Sequence, residues 1–230
     1  MKIFADGADY ETIVALAVDP RIDGFTTNPT LMHKSGVTDY EAFARKVLDA
    51  VTDLPISFET FADEPDEVLR QARLIAGWGP NVYVKVPVTN ASGVSMAPVI
   101  RELSAEGVQL NVTAMMTEQQ VETVTEAAAG GARHMLSMFA GRIADTGRDP
   151  IPLMQRALEI MAPHPALELL WASPREVLNI VQAETIGVHI ITLTHDLLAK
   201  MAGFGKDLEQ FSLETVQMFH RDAAAAGLSL

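Results

Sequence analysis

Residues 82–89, VYVKVPVT, set Val82, Val84, Val86 and Val88 in alternation with Tyr83, Lys85, Pro87 and Thr89. A period of two marks a β-strand, whose successive side chains point to opposite faces. The valines therefore share one face, and Lys85 stands on the other. Such a strand has two destinations. At the edge of a sheet the lysine meets water; in the centre of a parallel barrel both faces are buried. Lysine is rarely fully buried, so the edge is the default for this run taken alone. In a barrel, Lys85 points into the lumen, loses hydration and favours the free amine, a nucleophile for carbonyl carbon. The rest of the chain chooses between the two.

The same alternation recurs. In PISFETF, Ile56 and Phe58 oppose Ser57 and Glu59; in VQLNVTA, Val108, Leu110 and Val112 oppose Gln109, Asn111 and Thr113. Further strands are expected at residues 3–6 (IFAD), 23–28 (DGFTTN), through Phe139 in RHMLSMF, 167–172 (LELLWA) and 188–193 (VHIITL). Helical patterning falls between them, at 11–18, 40–51, 65–78, 96–105, 118–129, 150–162, 175–183 and 196–202, with a last helix over about 212–226. Pro29 suits a first helical turn, Gly130-Gly131 closes a helix, and the chain is expected to loop at Gly141. Eight strands separated by helices and short connections predict an α/β fold: a (β/α)8 TIM barrel, one domain over 1–230, with an extra C-terminal helix. The alternative, an open doubly wound sheet, lacks its Gly-x-Gly-x-x-Gly signal.

Charge and residue usage limit the partners. A formal net charge of −13 disfavours nucleic acid and anionic membranes. No run approaches the ~20 apolar residues of a membrane span. Asp6, Asp9 and Glu11 occupy the stretch where a signal peptide needs an apolar core, so a cytoplasmic protein is expected. The absence of cysteine removes disulfides, thiol nucleophiles and cysteine zinc sites. The six histidines, at 33, 134, 164, 189, 195 and 220, fall at no metal-ligand spacing, and neither metal nor cofactor is expected. His189, within VHIITL, reads as a packing residue.

Polar residues gather at the C-terminal ends of the strands: Asp6, Asn28, Glu59, Lys85, Asn111, Thr113, Ser137 and Ser173. Any one alone is an ordinary cap or turn residue. Together, around a strand lysine, they mark the end of a barrel where catalytic groups collect.

These residues also carry a family resemblance. FAD at Asp6, GFTTNP at Asn28, VYVKVP at Lys85, NVT at Asn111 to Thr113, SMFAGRIAD at Ser137 to Asp145 and WASPRE at Ser173 to Glu176 stand in the order seen in transaldolases. The chain resembles that family of class I aldolases over essentially its whole length, and its size resembles the short-chain branch that includes the fructose-6-phosphate aldolases. The resemblance implies that Lys85 forms a Schiff base with a ketose donor. It implies that Asp6 exchanges a proton with the C4 hydroxyl, and that Glu59 acts through a water held with Thr113. Asn28, Asn111 and Ser137 would orient the dihydroxyacetone fragment. Arg142, Arg175 and Ser173 would bind the terminal phosphate, and Thr27 and Phe139 join the substrate-binding set.

Members that release free dihydroxyacetone resemble a version with glutamine and tyrosine where this chain has Glu59 and Phe139, so transfer between sugar phosphates is expected here. Two motifs depart from the family. SPFVGR reads SMFAGR and ASFR reads ASPR, which leaves room for a sulfonated or otherwise modified sugar. The final helix carries an apolar stripe (Leu213, Val216, Phe219, Ala223 to Ala226), to be covered by its own barrel or by another subunit. The family implies a homo-oligomer.

Overall fold

In the computed structural model, which describes residues 1–228, every alternating segment forms a strand. The strands β1 (Lys2–Asp6), β2 (Gly24–Thr26), β3 (Ile56–Glu59), β4 (Val82–Pro87), β5 (Leu110–Met115), β6 (His134–Met138), β7 (Leu167–Trp171) and β8 (Ile190–Thr194) pair in parallel and close into a barrel in chain order. Around them run α1 (Tyr10–Leu16), α2 (Pro29–Lys34), α3 (Tyr40–Ala50), α4 (Pro65–Ala76), α5 (Ala97–Ala105) and α6 (Glu118–Ala128). After β6 come α7 (Ala140–Ala144) and α8 (Ile151–Met161), then α9 (Leu178–Thr185), α10 (His195–Lys200) and α11 (Leu208–Ala225). The expected (β/α)8 barrel is the fold.

The two faces of each strand have separate work. Outward residues such as Phe58, Val84, Val112, Leu136 and Trp171 pack under the helices in one continuous core. Burying one such side chain contributes roughly 1.5–3 kcal/mol, so this layer is what holds the barrel closed. Inward, Phe4, Tyr83, Met135, Leu170 and Ile190 plug the lower lumen as a second cluster. Gly24 makes that plug possible: a Cβ there would fall 2.6 Å from the Phe4 ring. Above the plug the lumen turns polar, one residue pair further along each strand.

Several elements differ from expectation for local reasons. The Ala140–Ala144 segment winds into α7 instead of looping at Gly141. The 175–183 helix begins only at Leu178, because the Arg175 and Glu176 N–H groups donate to the Asn179 side chain at 2.8 and 3.2 Å. That asparagine holds the segment in a capping turn. The last helix starts four residues early, at Leu208, where Asp207 caps it by accepting from the Gln210 N–H. α11 stands proud of the barrel: none of its eighteen residues is buried. Among the described residues no helix is long and apolar enough to cross a membrane.

One buried polar chain ties α5 to the barrel. His134, 1% exposed, accepts the Leu110 N–H at Nδ1 (3.1 Å), which places its own proton on Nε2 facing Ser104 Oγ (2.9 Å). Ser104 in turn donates to the Ala128 carbonyl. Desolvation holds the His134 imidazole down to about 4, so the fold wants it neutral. Its contribution is complete above the unfolded value of about 6.5 and drains away as pH falls toward 4. Between pH 7.5 and pH 5 wild type is expected to lose about 2 kcal/mol more than His134→Gln, read from urea unfolding at pH 7.5, 6 and 5. Parallel losses in both proteins would contradict this account.

Candidate active site

The register of the barrel sets the candidate side chains at paired inward positions on neighbouring strands. Glu59 pairs with Lys85 across β3 and β4, Lys85 with Asn111 across β4 and β5, and Asp6 with Thr26 across β1 and β2. These residues face inward, so their side chains meet in a cavity of about 460 Å³ at the C-terminal end of the strands. Asp6, Asn28, Glu59, Lys85, Asn111, Thr113, Ser137, Phe139, Arg142, Ser173 and Arg175 all line it.

Lys85 is 7% exposed. Its Nζ lies 2.7 Å from Glu59 Oε1 and donates to the Thr27 carbonyl at 2.6 Å. The other carboxylate oxygen, Glu59 Oε2, is buried without a protein partner. A buried acceptor without a partner costs ~1–3 kcal/mol, so this oxygen is poised for a water or a substrate hydroxyl. Burial pushes the Glu59 carboxyl up; the adjacent Lys85 opposes this and Asp6 adds to it. Asp6 is also pushed up by burial, against Lys85 and the hydrogen bonds from Thr26 and Asn28. Two carboxyls poised to carry protons thus flank one amine.

Supporting contacts fix the orientations. Thr26 donates to Asp6 Oδ1 at 2.8 Å and meets Thr192 Oγ1 at 2.6 Å. Asn28 caps α2 by accepting the Leu31 N–H (2.9 Å), which leaves its amide N–H to donate to Asp6 Oδ2 (3.2 Å). Asn111, fully buried, donates to Ser57 Oγ and accepts from Ser137 Oγ. Thr113 stands just before a break in register, where Ala114 takes φ +67°.

Thr27 requires a correction. Strand alternation turns it away from the lumen, and its hydroxyl donates to the Ser57 carbonyl. Thr26 lines the cavity in its place, while the Thr27 backbone receives Lys85. Thr192, Ser57 and Tyr40 were also missed. Thr192 and Ser57 occupy inward positions that the alternation of their strands marks.

At the far rim, Arg142 lies 5.6 Å from the centre of the Phe139 ring, within cation–π range. Arg175 grips Asp145 through Nε (2.9 Å) and a second donor, and this hydrogen bonding holds the Asp145 carboxyl low. Ser173 adopts φ +61°. Gly141 lets α7 press against that bend, since a Cβ there would sit 1.5 Å from the Ser173 carbonyl oxygen.

A family model described as transaldolase/fructose-6-phosphate aldolase matches residues 3–230. The chain belongs to this family. A "Probable transaldolase" of Dehalococcoides mccartyi is 36% identical over 202 residues, covering 87% of this chain and 90% of the relative. A "Probable transaldolase 2" of Listeria monocytogenes is 33% identical over 223 residues, covering 92% of this chain and 98% of that protein. Among solved structures, 3-hexulose-6-phosphate synthase from Salmonella typhimurium superposes with TM-score 0.59 at 15% identity, over 84% of this chain and 89% of its own. That likeness is one of fold. The protein is an enzyme of the transaldolase family.

Removing the cation tests the electrostatics of this family site directly. In Lys85→Met both the Asp6 and the Glu59 carboxyl are expected to titrate at higher pH than in wild type, because the lysine charge lowers both. Carbon-13 NMR of labelled carboxyls reads the midpoints. Unmoved midpoints would contradict the placement of the charge.

Proposed function

We propose that the protein is a transaldolase that moves a dihydroxyacetone unit from a ketose phosphate to an aldose phosphate. Fructose 6-phosphate or sedoheptulose 7-phosphate suits the donor, and glyceraldehyde 3-phosphate or erythrose 4-phosphate the acceptor, as in the pentose phosphate pathway. The observation that carries the reading is Lys85, buried in the lumen between a paired Glu59 and a second buried acid, Asp6.

The Lys85 amine, once its proton has passed to Glu59, attacks the donor C2 carbonyl. Glu59, with a water near Thr113, supplies the proton that lets the carbinolamine lose water, leaving an iminium. Asp6 takes the C4 hydroxyl proton as the C3–C4 bond breaks, and the bonding electrons flow into the iminium to give an enamine. The first aldehyde departs. C3 of the enamine attacks the acceptor aldehyde, Asp6 returns its proton to the new alkoxide, and water hydrolyses the iminium to free Lys85. Asn28, Asn111 and Ser137 hold the hydroxyls of the three-carbon unit, and Arg142, Arg175 and Ser173 take the tail anion.

Glu59 and Phe139 support transfer over release. Phe139 puts no hydroxyl beside the enamine, and the site keeps its carboxylate pair. Incubation with fructose 6-phosphate and erythrose 4-phosphate is expected to yield sedoheptulose 7-phosphate and glyceraldehyde 3-phosphate, with little free dihydroxyacetone. Free dihydroxyacetone as the main product, without need of acceptor, would favour the aldolase reading.

A second donor class has an observation in its favour. Asp145 engages Arg175 through two donors, so the rim opposes roughly one uncompensated positive charge to the tail. A sulfonate carries a single negative charge, a phosphate nearly two. A 6-deoxy-6-sulfo ketose therefore belongs in the donor panel, and a higher kcat/KM for it than for fructose 6-phosphate would name it the donor.

We also propose a homo-oligomer, in which α11 of one copy packs on another. Phe211, Val216 and Phe219 on that helix are 52, 60 and 62% exposed, an apolar stripe that a monomer leaves in water. Light scattering on wild type is expected to give a multiple of the 24.9 kDa chain, and truncation after Lys206 a smaller species. A monomeric wild type would contradict this.

A further inference from the structure

β2 ends at Thr26 and pairs with β3 only as far as Ser57; one more bond, from the Thr27 N–H to the Ser57 carbonyl, closes their contact. Glu59 therefore reaches the end of β3 with its backbone N–H and C=O turned toward a neighbour that is no longer there. Those groups are not left bare. The Tyr40 hydroxyl, from the first residue of α3, accepts the Glu59 N–H at 2.6 Å and donates to the Glu59 carbonyl at 3.2 Å. One oxygen does the work of the missing strand.

The Tyr40 ring has little freedom to move. It packs edge-on against Phe58, Phe61 and Trp78, with centroids 6.1, 4.6 and 5.7 Å away. Asp39 caps α3 directly before it by accepting from the Ala42 N–H. Burial pushes the phenol far up, so it stays protonated and keeps both hydrogen bonds at every working pH.

We infer that Tyr40 is a positioning residue for Glu59, fixing the strand end so that the carboxylate meets Lys85 while its second oxygen stays free for water. Tyr40 touches no reacting atom; it acts through the Glu59 backbone. The inference rests on the proposed Schiff-base reading for its kinetic consequence, but not for its electrostatic one. Glu59 faces Lys85 on β4 and Asp6 on β1, with Arg142 and Arg175 at the far rim of the cavity. Without the hydroxyl, the Glu59 backbone loses both partners, the strand end loosens and the carboxylate drifts from Lys85. Burial then dominates, and the carboxyl titrates higher.

Tyr40→Phe keeps the ring and deletes only the oxygen. In protein labelled with carbon-13 at the glutamate carboxyl, the resonance absent from Glu59→Gln identifies Glu59. Its midpoint is expected to rise by about half a pH unit or more in Tyr40→Phe. In the transfer assay kcat is expected to fall about tenfold, less than the ~100-fold that a full 1 Å misplacement can cost, with donor KM within about twofold. Phe61→Leu, which loosens the same ring cluster and spares the hydroxyl, is expected to leave the midpoint where it is. A midpoint unmoved in Tyr40→Phe, or moved equally in Phe61→Leu, would overturn the inference. The titration needs no substrate, so a wild type inactive on every donor would count against the Schiff-base reading and leave this test standing.

Discussion

The ion pair between Lys85 and Glu59 sets the terms for everything around it. Two charges 2.7 Å apart sit inside a barrel where water is scarce, and breaking such a pair by removing one partner typically costs about 3–5 kcal/mol. A buried pair is seldom a bargain for stability alone, since apolar side chains of the same volume do as well or better. Its presence in the lumen points to chemistry. The outer layer of valine, leucine, isoleucine and phenylalanine holds the barrel closed, and the lower lumen is dry and packed. That leaves the upper lumen free to hold groups that burial disfavours.

From that pair the rest of the site follows by contact. Lys85 needs a second acceptor and finds it in the Thr27 carbonyl, at the point where β2 turns into α2. That turn puts Asn28 at the α2 N-cap, where its Oδ1 serves the helix and its N–H groups serve Asp6. Asp6 is then held from two sides, by Asn28 and by Thr26 with Thr192 behind it. Each contact settles the donor and acceptor sense of the next. The polar side chains of the upper lumen hold one another in place.

Much of this was legible in the amino-acid order. Parallel barrel strands are buried on both faces, so an apolar alternation with polar residues on the reverse names the outward and inward sides of β3, β4 and β5. Lys85, Glu59, Asn111 and Thr113 could be assigned to the lumen from that pattern. The phase of a three-residue strand is harder to read. β2 offers two adjacent threonines, and only the structure shows that Thr26 faces in and Thr27 out. Tyr40 left no signal at all, because it serves Glu59 through the backbone from a helix nineteen residues away. Asp145 was hidden for a related reason: its partner Arg175 lies thirty residues away, on the loop after β7. Periodicity reports which way a side chain points, and says nothing about what it meets from a neighbouring loop.

On the proposed mechanism Lys85 becomes covalently attached to the donor. Borohydride reduction in the presence of fructose 6-phosphate, followed by intact mass and peptide mapping, detects that bond. A reduced dihydroxyacetone unit on the peptide that contains Lys85, and none on Lys85→Ala, is the predicted result. An adduct that persists in Lys85→Ala, or one mapped to another lysine of wild type, would contradict it.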